Sequence, residues 1–306
     1  MSISRAAEKL VSAFQARSPL RSGSLIVTIF GDTVAPHGGS VWVGSLIRAL
    51  EGFGINERLV RTSVFRLTGD GWLRSNTVGR RSFYDLTDDG QQELDRASTR
   101  IYGEPRRGWN GTWSLVLLAG VAADRRELAR RELQAIGFGL VSASVLAHPD
   151  PDPLLQAAAL KNSGAEAAVA IEGHTASAEE DRRLRALADK AWNIADVERR
   201  YRHFVDTFRP ALSATGRGGV RDPDAAFRVR TLLIHEYRKI VLRDPGLPAE
   251  LLPPDWPGLA AFRLCRNLYR ATWLASEDYV TDILETAEGP VPPPAPAFYQ
   301  RFGGLQ

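Results

Sequence analysis

The spacing of apolar positions changes several times along the chain, and each change marks an element. Residues 1–24 read as a short helix followed by a polar hinge at Ser18-Pro19 and Ser22-Gly23-Ser24. Residues 25–30 are a continuous apolar run closed by Gly31-Asp32, and residues 35–40, with Pro36 and Gly38-Gly39, read as a loop. Val43, Leu46, Ile47 and Leu50 recur at helical spacing, which predicts a helix over 41–50 stopped by Gly52 and Gly54. Asn56 is a good N-cap for a helix over 57–68, ended by Gly69-Asp70-Gly71. Residues 72–75 and 82–86 predict two short strands joined through 76–79 as a hairpin. Thr87 then caps a helix running to Tyr102. Helix, helix, helix, hairpin is the order of a winged helix-turn-helix.

After a basic linker at 105–108 the period changes again. Residues 112–120 predict an apolar strand, 122–136 a charged amphipathic helix, 140–147 a strand ended by His148-Pro149-Asp150-Pro151, 154–161 a helix and 167–172 a strand. This alternation suits a ferredoxin-like unit. From Ala178 the pattern is nearly all helix, over 179–191, 193–213, 223–243 and 257–285, with Asp222-Pro223 as an N-cap followed by proline in the first turn. Residues 290–296 are proline-rich and predicted to be extended or disordered. The expected fold class is therefore α+β: a winged helix-turn-helix over 21–104, a ferredoxin-like middle domain over 109–177 and a helical C-terminal domain with a Pro-rich tail over 178–306.

Composition narrows the class. The chain has 306 residues, 44% of them hydrophobic, enough for more than one core. A single cysteine, Cys265, excludes an internal disulfide framework and suits a reducing compartment. The opening MSISRAAEKL has no apolar core of a signal peptide, and the longest apolar runs are too short to span a bilayer. A cytoplasmic location with no membrane partner is expected. Net charge is only +3, but residues 1–108 hold 15 basic and 11 acidic side chains while the remainder holds 24 and 25. Residues 56–85 alone carry six arginines against Glu57, Asp70 and Asp85. A local basic surplus is how a nucleic-acid footprint looks in sequence, and also how a solvated face looks.

The helix over 57–68 bears on both readings, since a solvated amphipathic helix beside a basic hairpin would look similar. At about 100° per residue, Val60, Val64 and Leu67 fall on one side. Arg58, Arg61, Thr62 and Phe65 fall opposite, with Ser63 and Arg66 on the flank. An apolar back with an arginine and hydroxyl front can bury one side and present the other to a major groove. Arginine offers a planar fork for guanine or phosphate, and Thr62 can donate to phosphate or touch a thymine methyl. Arg80 and Arg81, beside the hairpin turn, would reach the DNA backbone. The candidate DNA-contacting residues are Arg58, Arg61, Thr62, Ser63, Arg66, Arg80 and Arg81. Phe65 sits awkwardly among them, packing on the hairpin being one reading.

Two motifs then resemble a known family. Val60-Arg61-Thr62-Ser63-Val64-Phe65-Arg66-Leu67, followed by Gly71-Trp72-Leu73, resembles the N-terminal domain of the PaaX-like repressors of phenylacetate catabolism. Leu233-Ile234-His235-Glu236-Tyr237-Arg238, then Asp244-Pro245-Gly246-Leu247-Pro248, Leu251-Leu252-Pro253 and Trp256-Pro257-Gly258, resembles that family's C-terminal signature. The resemblance implies a homodimeric bacterial repressor of the three-domain plan above, bound to a duplex operator and released by an aromatic acyl-coenzyme A such as phenylacetyl-coenzyme A. The middle unit is also similar to the small ferredoxin-like nucleases of CRISPR adaptation. Those end their first strand on an aspartate, where this chain has Leu118-Ala119-Gly120, and Asp124 comes too late. A scaffold or dimerisation role is expected instead.

An acyl-coenzyme A site needs aromatics near arginines. The helix over 193–213 offers Arg199, Tyr201, His203 and Phe204, and the helix over 257–285 offers Arg263 and Tyr269. His235 and Arg238 join them from the signature helix, although ordinary helix packing and ion pairing account for all of these equally well. His235 and Glu236 are adjacent, so they do not converge on one metal ion. No catalytic residue, cofactor or metal is expected: G-x-S-x-G, Walker and zinc-spacing motifs are missing, and Gly137-Phe138-Gly139 lacks the third glycine of a dinucleotide loop. The alternatives are a regulator of another catabolic pathway and an acyl-coenzyme A-handling enzyme. An RNA-binding sheet would want more strand aromatics than Trp113.

Overall fold

The structure, a computed structural model, describes residues 2–17, 22–105, 108–216 and 219–305. The predicted hinge at Ser18-Pro19 and the centre of the basic linker at 105–108 lie outside the described residues. In chain order the elements are α1 (Ile3–Gln15), α2 (Ser22–Ile29), β1 (Ser40–Trp42), α3 (Val43–Glu51), α4 (Glu57–Gly69), β2 (Leu73–Val78), β3 (Arg81–Leu86) and α5 (Asp88–Tyr102). There follow β4 (Trp113–Leu117), α6 (Ala123–Ala135), β5 (Gly139–Ser142), β6 (Val145–Pro149), α7 (Pro153–Asn162) and β7 (Val169–Gly173). The chain ends with α8 (Ala178–Trp192), α9 (Ile194–Ala214), α10 (Pro223–Val241), α11 (Gly258–Ile283), β8 (Glu285–Thr286) and β9 (Gly289–Pro290). Helices and antiparallel sheets together make this an α+β protein.

Contacts group the chain into two compact units. One comprises Met1–Glu104, His203–Leu242 and Ala260–Gln306, the other Pro105–Arg202 and Arg243–Leu259. Three consecutive blocks were expected, whereas each unit draws on segments distant along the chain. Ile3, Ala6, Leu10 and Phe14 form the buried stripe of α1, which packs on α10. The proline-rich tail is ordered rather than extended and free: Ala295 N–H donates to Pro36 O, and Phe298, Arg301 and Phe302 are buried in the first unit.

Within that unit a three-stranded antiparallel sheet runs β1-β3-β2. The strand β1 takes the first residues of the predicted 41–50 helix, since Val41 and Trp42 pair with Tyr84 and Phe83. The predicted loop at 35–40 opens with a 3-10 turn, Ala35–His37, and a π-helical turn, Phe30–Val34, precedes it where the apolar run was expected to end. The caps behave as the sequence indicates: Asn56, Thr87 and Asp222 side chains accept from Leu59, Gly90 and Ala225 N–H.

In the second unit four antiparallel strands run β5-β6-β4-β7, with helices α6 and α7 as crossovers. The single strand predicted at 140–147 is a hairpin, β5 and β6, which gives the sheet its fourth strand. Side chains of β4 alternate between two cores. Val116, with Leu118 beyond the strand, meets Leu133, Phe138 and Leu146. Trp113 and Leu115 meet Ile194, Leu247, Leu251, Trp192 and Trp256. The segment rich in Asp-Pro-Gly and Leu-Leu-Pro-Pro thus folds as a cover for one side of this sheet.

Candidate nucleic-acid interface

Helices α3 and α4 meet through a tight turn in which Gly54 has φ +74°, a conformation that favours glycine. The inner stripe of α4 is Val60, Ser63, Val64 and Leu67, the i, i+3, i+4, i+7 set of a buried helix side. Ser63 was placed with the DNA-contacting residues, and this is corrected. It is buried, and its Oγ lies 2.8 Å from Ser22 Oγ, tying α4 to α2. The wheel puts position 63 inside the stripe, and its hydroxyl made it look like a surface residue.

The outer side presents Arg58, Arg61, Thr62, Phe65 and Arg66, all exposed. Arg61 Nε donates to Glu57 Oε1 at 2.8 Å, an exposed i,i+4 pair worth about 0.3–0.5 kcal/mol and easily given up to a phosphate. Thr62 Oγ1 donates to Arg58 O at 2.8 Å, which fixes its rotamer and turns its methyl outward. Arg58 and Arg66 have no acidic partner among the described residues. Asn56, Glu57, Arg58, Arg61 and Thr62 line an open recess of about 540 Å³ at the start of α4. Backbone N–H groups and the positive end of the helix dipole lie there, favouring an anion.

The hairpin of β2 and β3 projects: every residue of β2 except Leu73 is exposed. Arg80 is exposed in the turn and has no acidic partner among the described residues. Arg81 differs. Its Nη1 donates to Glu285 Oε2 at 2.9 Å and its guanidinium lies 4.3 Å from the Trp42 ring centroid. Glu285 also accepts from Arg48 at 2.7 Å. Arg81 therefore ties the turn end of the hairpin to β1 and β8, while Arg80 is the arginine in the turn itself. Sequence reasoning passed over Arg74, exposed on β2 with Asp85 Oδ2 3.7 Å away; strand alternation was the available signal.

Beneath this surface lies a buried ionic cluster. Asp32, in the π-helical turn after α2, accepts from Arg230 Nε at 2.8 Å, Tyr102 OH at 2.6 Å, Tyr269 OH at 3.0 Å and Arg301 Nη1 at 3.1 Å. Arg230 Nη1 also donates to Glu277 Oε1 at 2.5 Å. Burial pushes the Tyr102 and Tyr269 hydroxyls above their ordinary range, so both remain proton donors to the carboxylate. Burial alone would raise Glu277, but its His37 hydrogen bond and the Arg230 guanidinium hold it down at about 2. The lone acid at the end of an apolar run was the sequence signal for this cluster, and it was read only as the end of that run.

The residues proposed for an effector are divided between the two units. Arg199 pairs with Asp196 on an exposed turn of α9, and Tyr201 is buried with its hydroxyl on Asp244 Oδ2 at 2.7 Å; both belong to the second unit. In the first unit His203 and Arg263 are exposed and Phe204 packs on Phe208 and Tyr237. Tyr269 belongs to the Asp32 cluster. Arg238 donates to Ser24 O at 2.7 Å and Thr28 Oγ1 at 2.8 Å. Thr28 Oγ1 gives its own proton to Ser24 O, so His235 Nδ1–H donates to it at 2.9 Å. Burial, with Lys239, Arg238 and Arg17 nearby, holds His235 down at about 2, so it is neutral. Within their own units Tyr201, Phe204, His235 and Tyr269 are each already engaged by packing or hydrogen bonds. Among the described residues no group of three or more His, Cys, Asp or Glu could hold a metal, and no helix is long and apolar enough to cross a membrane.

Two family profiles match the chain, one described as PaaX-like protein at residues 21–90 and one as PaaX-like protein C-terminal domain at residues 192–282. The chain is 38% identical over 295 residues to the transcriptional repressor PaaX of Escherichia coli (strain K12), covering 94% of this chain and 92% of that protein. A solved structure of an uncharacterized protein from Mycobacterium tuberculosis superposes with a TM-score of 0.54 at 22% identity, over 83% of this chain and 97% of that one. That likeness is one of fold.

Proposed function

Because the chain belongs to the PaaX-like protein family, we propose that it is a DNA-binding transcriptional repressor whose α4 enters the major groove. The observation that carries this reading is the outer side of α4: exposed arginines, two of them, Arg58 and Arg66, without an acidic partner among the described residues, on a helix whose opposite stripe is fixed in the core. The order α2, α3, α4, β2, β3 supports a winged helix-turn-helix, with Arg80 at the wing tip on the phosphate backbone. The β-α-β-β-α-β path and antiparallel order β5-β6-β4-β7 support a ferredoxin-like middle domain. By resemblance to the family, the protein acts as a homodimer on a phenylacetate-type catabolic operon and answers to an aromatic acyl-coenzyme A.

Selection from a random duplex pool with the full chain tests the reading. A two-fold symmetric sequence is expected, bound with an affinity that falls steeply with salt. Enrichment of no sequence overturns it. On the selected duplex, phenylacetyl-coenzyme A is expected to release the protein and free phenylacetate is not. Release by neither compound removes the effector assignment and leaves the DNA reading intact.

A further inference from the structure

Eleven of the twelve phenylalanines are buried, whereas Phe65 is 78% exposed in the middle of α4. Position 65 lies opposite the Val60, Ser63, Val64 and Leu67 stripe, one turn from Arg61 and Thr62 and two turns from Arg58. Among the described residues no ring contact involves it, and it lies in the same exposed surface as Arg58, Arg61, Thr62 and Arg66. A large apolar side chain left in water among cations contributes nothing to the fold of the free chain. Its complement must combine negative charge around the rim with a small apolar group at the centre. The major groove of duplex DNA has both, in the flanking phosphates and the thymine 5-methyl, the one apolar group on its base edges.

Resting on the DNA-binding reading, we propose that Phe65 is a specificity-determining residue that reads the 5-methyl of a thymine. The ring cannot hydrogen-bond, so it is blind to the donor and acceptor pattern that Arg58 and Arg61 can read. Three to four residues along a helix advance about 5–6 Å, which places the methyl one or two base steps from the base reached by Arg61. Thr62, about one turn away on the same exposed side, has its hydroxyl bound to Arg58 O.

The test uses the full chain and the duplex selected by it from a random pool. Each thymidine is replaced singly by deoxyuridine, which removes only the methyl. At one thymine in each half-site the wild type is expected to lose about fourfold in affinity, the effect of one buried methyl. Phe65→Ala is expected to bind thymidine and deoxyuridine alike at that position, with an unchanged melting temperature. Arg61→Ala is expected to bind more weakly but to keep the wild-type ratio there. A Phe65→Ala protein that keeps the wild-type ratio at every position overturns the inference while the DNA reading stands. So does one that changes sedimentation mass with the ratio unaltered, since Phe65 would then meet a second copy. Failure of the wild type to enrich any duplex overturns both.

Discussion

Arg230 and Arg301 are 1% and 9% exposed, and every donor direction described for them ends on a carboxylate, carbonyl or hydroxyl. Arg58, Arg66 and Arg80 belong to the same unit, lie in water and have no acidic partner among the described residues. The buried arginines act on the fold: their charge is compensated before any ligand arrives, and removing a partner leaves it stranded in a low dielectric. The exposed ones leave the fold almost unaffected and keep their whole interaction capacity for a partner outside. Arg81, held by Glu285 and stacked on Trp42, stands between the two and shows that exposure alone does not sort arginines; the presence of a compensating acid does.

The contrast can be broken in order of size. Asp32→Ala removes the carboxylate that Arg230 and Arg301 share, and is expected to cost about 3–5 kcal/mol of stability, measured by urea unfolding. A loss below about 1 kcal/mol would show that the cluster is not needed for folding. Arg61→Ala is expected to do the reverse, weakening specific DNA binding by about 1–3 kcal/mol with melting nearly unchanged; operator affinity equal to wild type in a mobility shift would remove Arg61 from the interface.

Acid tests the interior next. His235 is held at about 2, below its ordinary 6.5, so the unfolded chain takes up its proton first. Stability is then full above pH 6.5 and lost below it, by roughly 1.4 kcal/mol per pH unit. Glu277, held at about 2 from 4.5, adds a loss of the same sign only below pH 4.5. His235→Gln should flatten the upper part of this profile, and an unchanged slope above pH 4.5 would show that another group titrates. The smallest effect belongs to the wing. Neutralising Arg80 and Arg81 together lowers the salt slope of binding, and Arg80→Ala alone accounts for most of a decrease of about one. An equal contribution from Arg81 would mean that DNA displaces Glu285.

The elements with a strong period or cap were legible from sequence: α4 behind Asn56, α5 behind Thr87, α10 behind Asp222-Pro223, and the long helices α9 and α11. What escaped depends on partners far along the chain. A three-residue strand such as β1 has no period of its own and exists because β3 pairs with it. The π-helical turn at Phe30–Val34 places Asp32 for groups from α5, α10, α11 and the tail, which local pattern cannot reveal. At the candidate interface, the arginines were visible because exposed side chains follow helical geometry directly. Ser63 was misplaced because residue type was weighed above position on the wheel, and the aromatics of α9 and α11 suggested a ligand pocket because a core helix and a pocket helix use the same residues.

The hold of Arg301 on Asp32 joins residues separated by 269 positions. At synthesis rates of about 5–20 residues per second, Asp32 waits on the order of tens of seconds for its final partner. The Asp32 cluster is thus completed only after Arg301 has been made. A chain that stops before Arg301 leaves Asp32 short of one of the partners of its cluster.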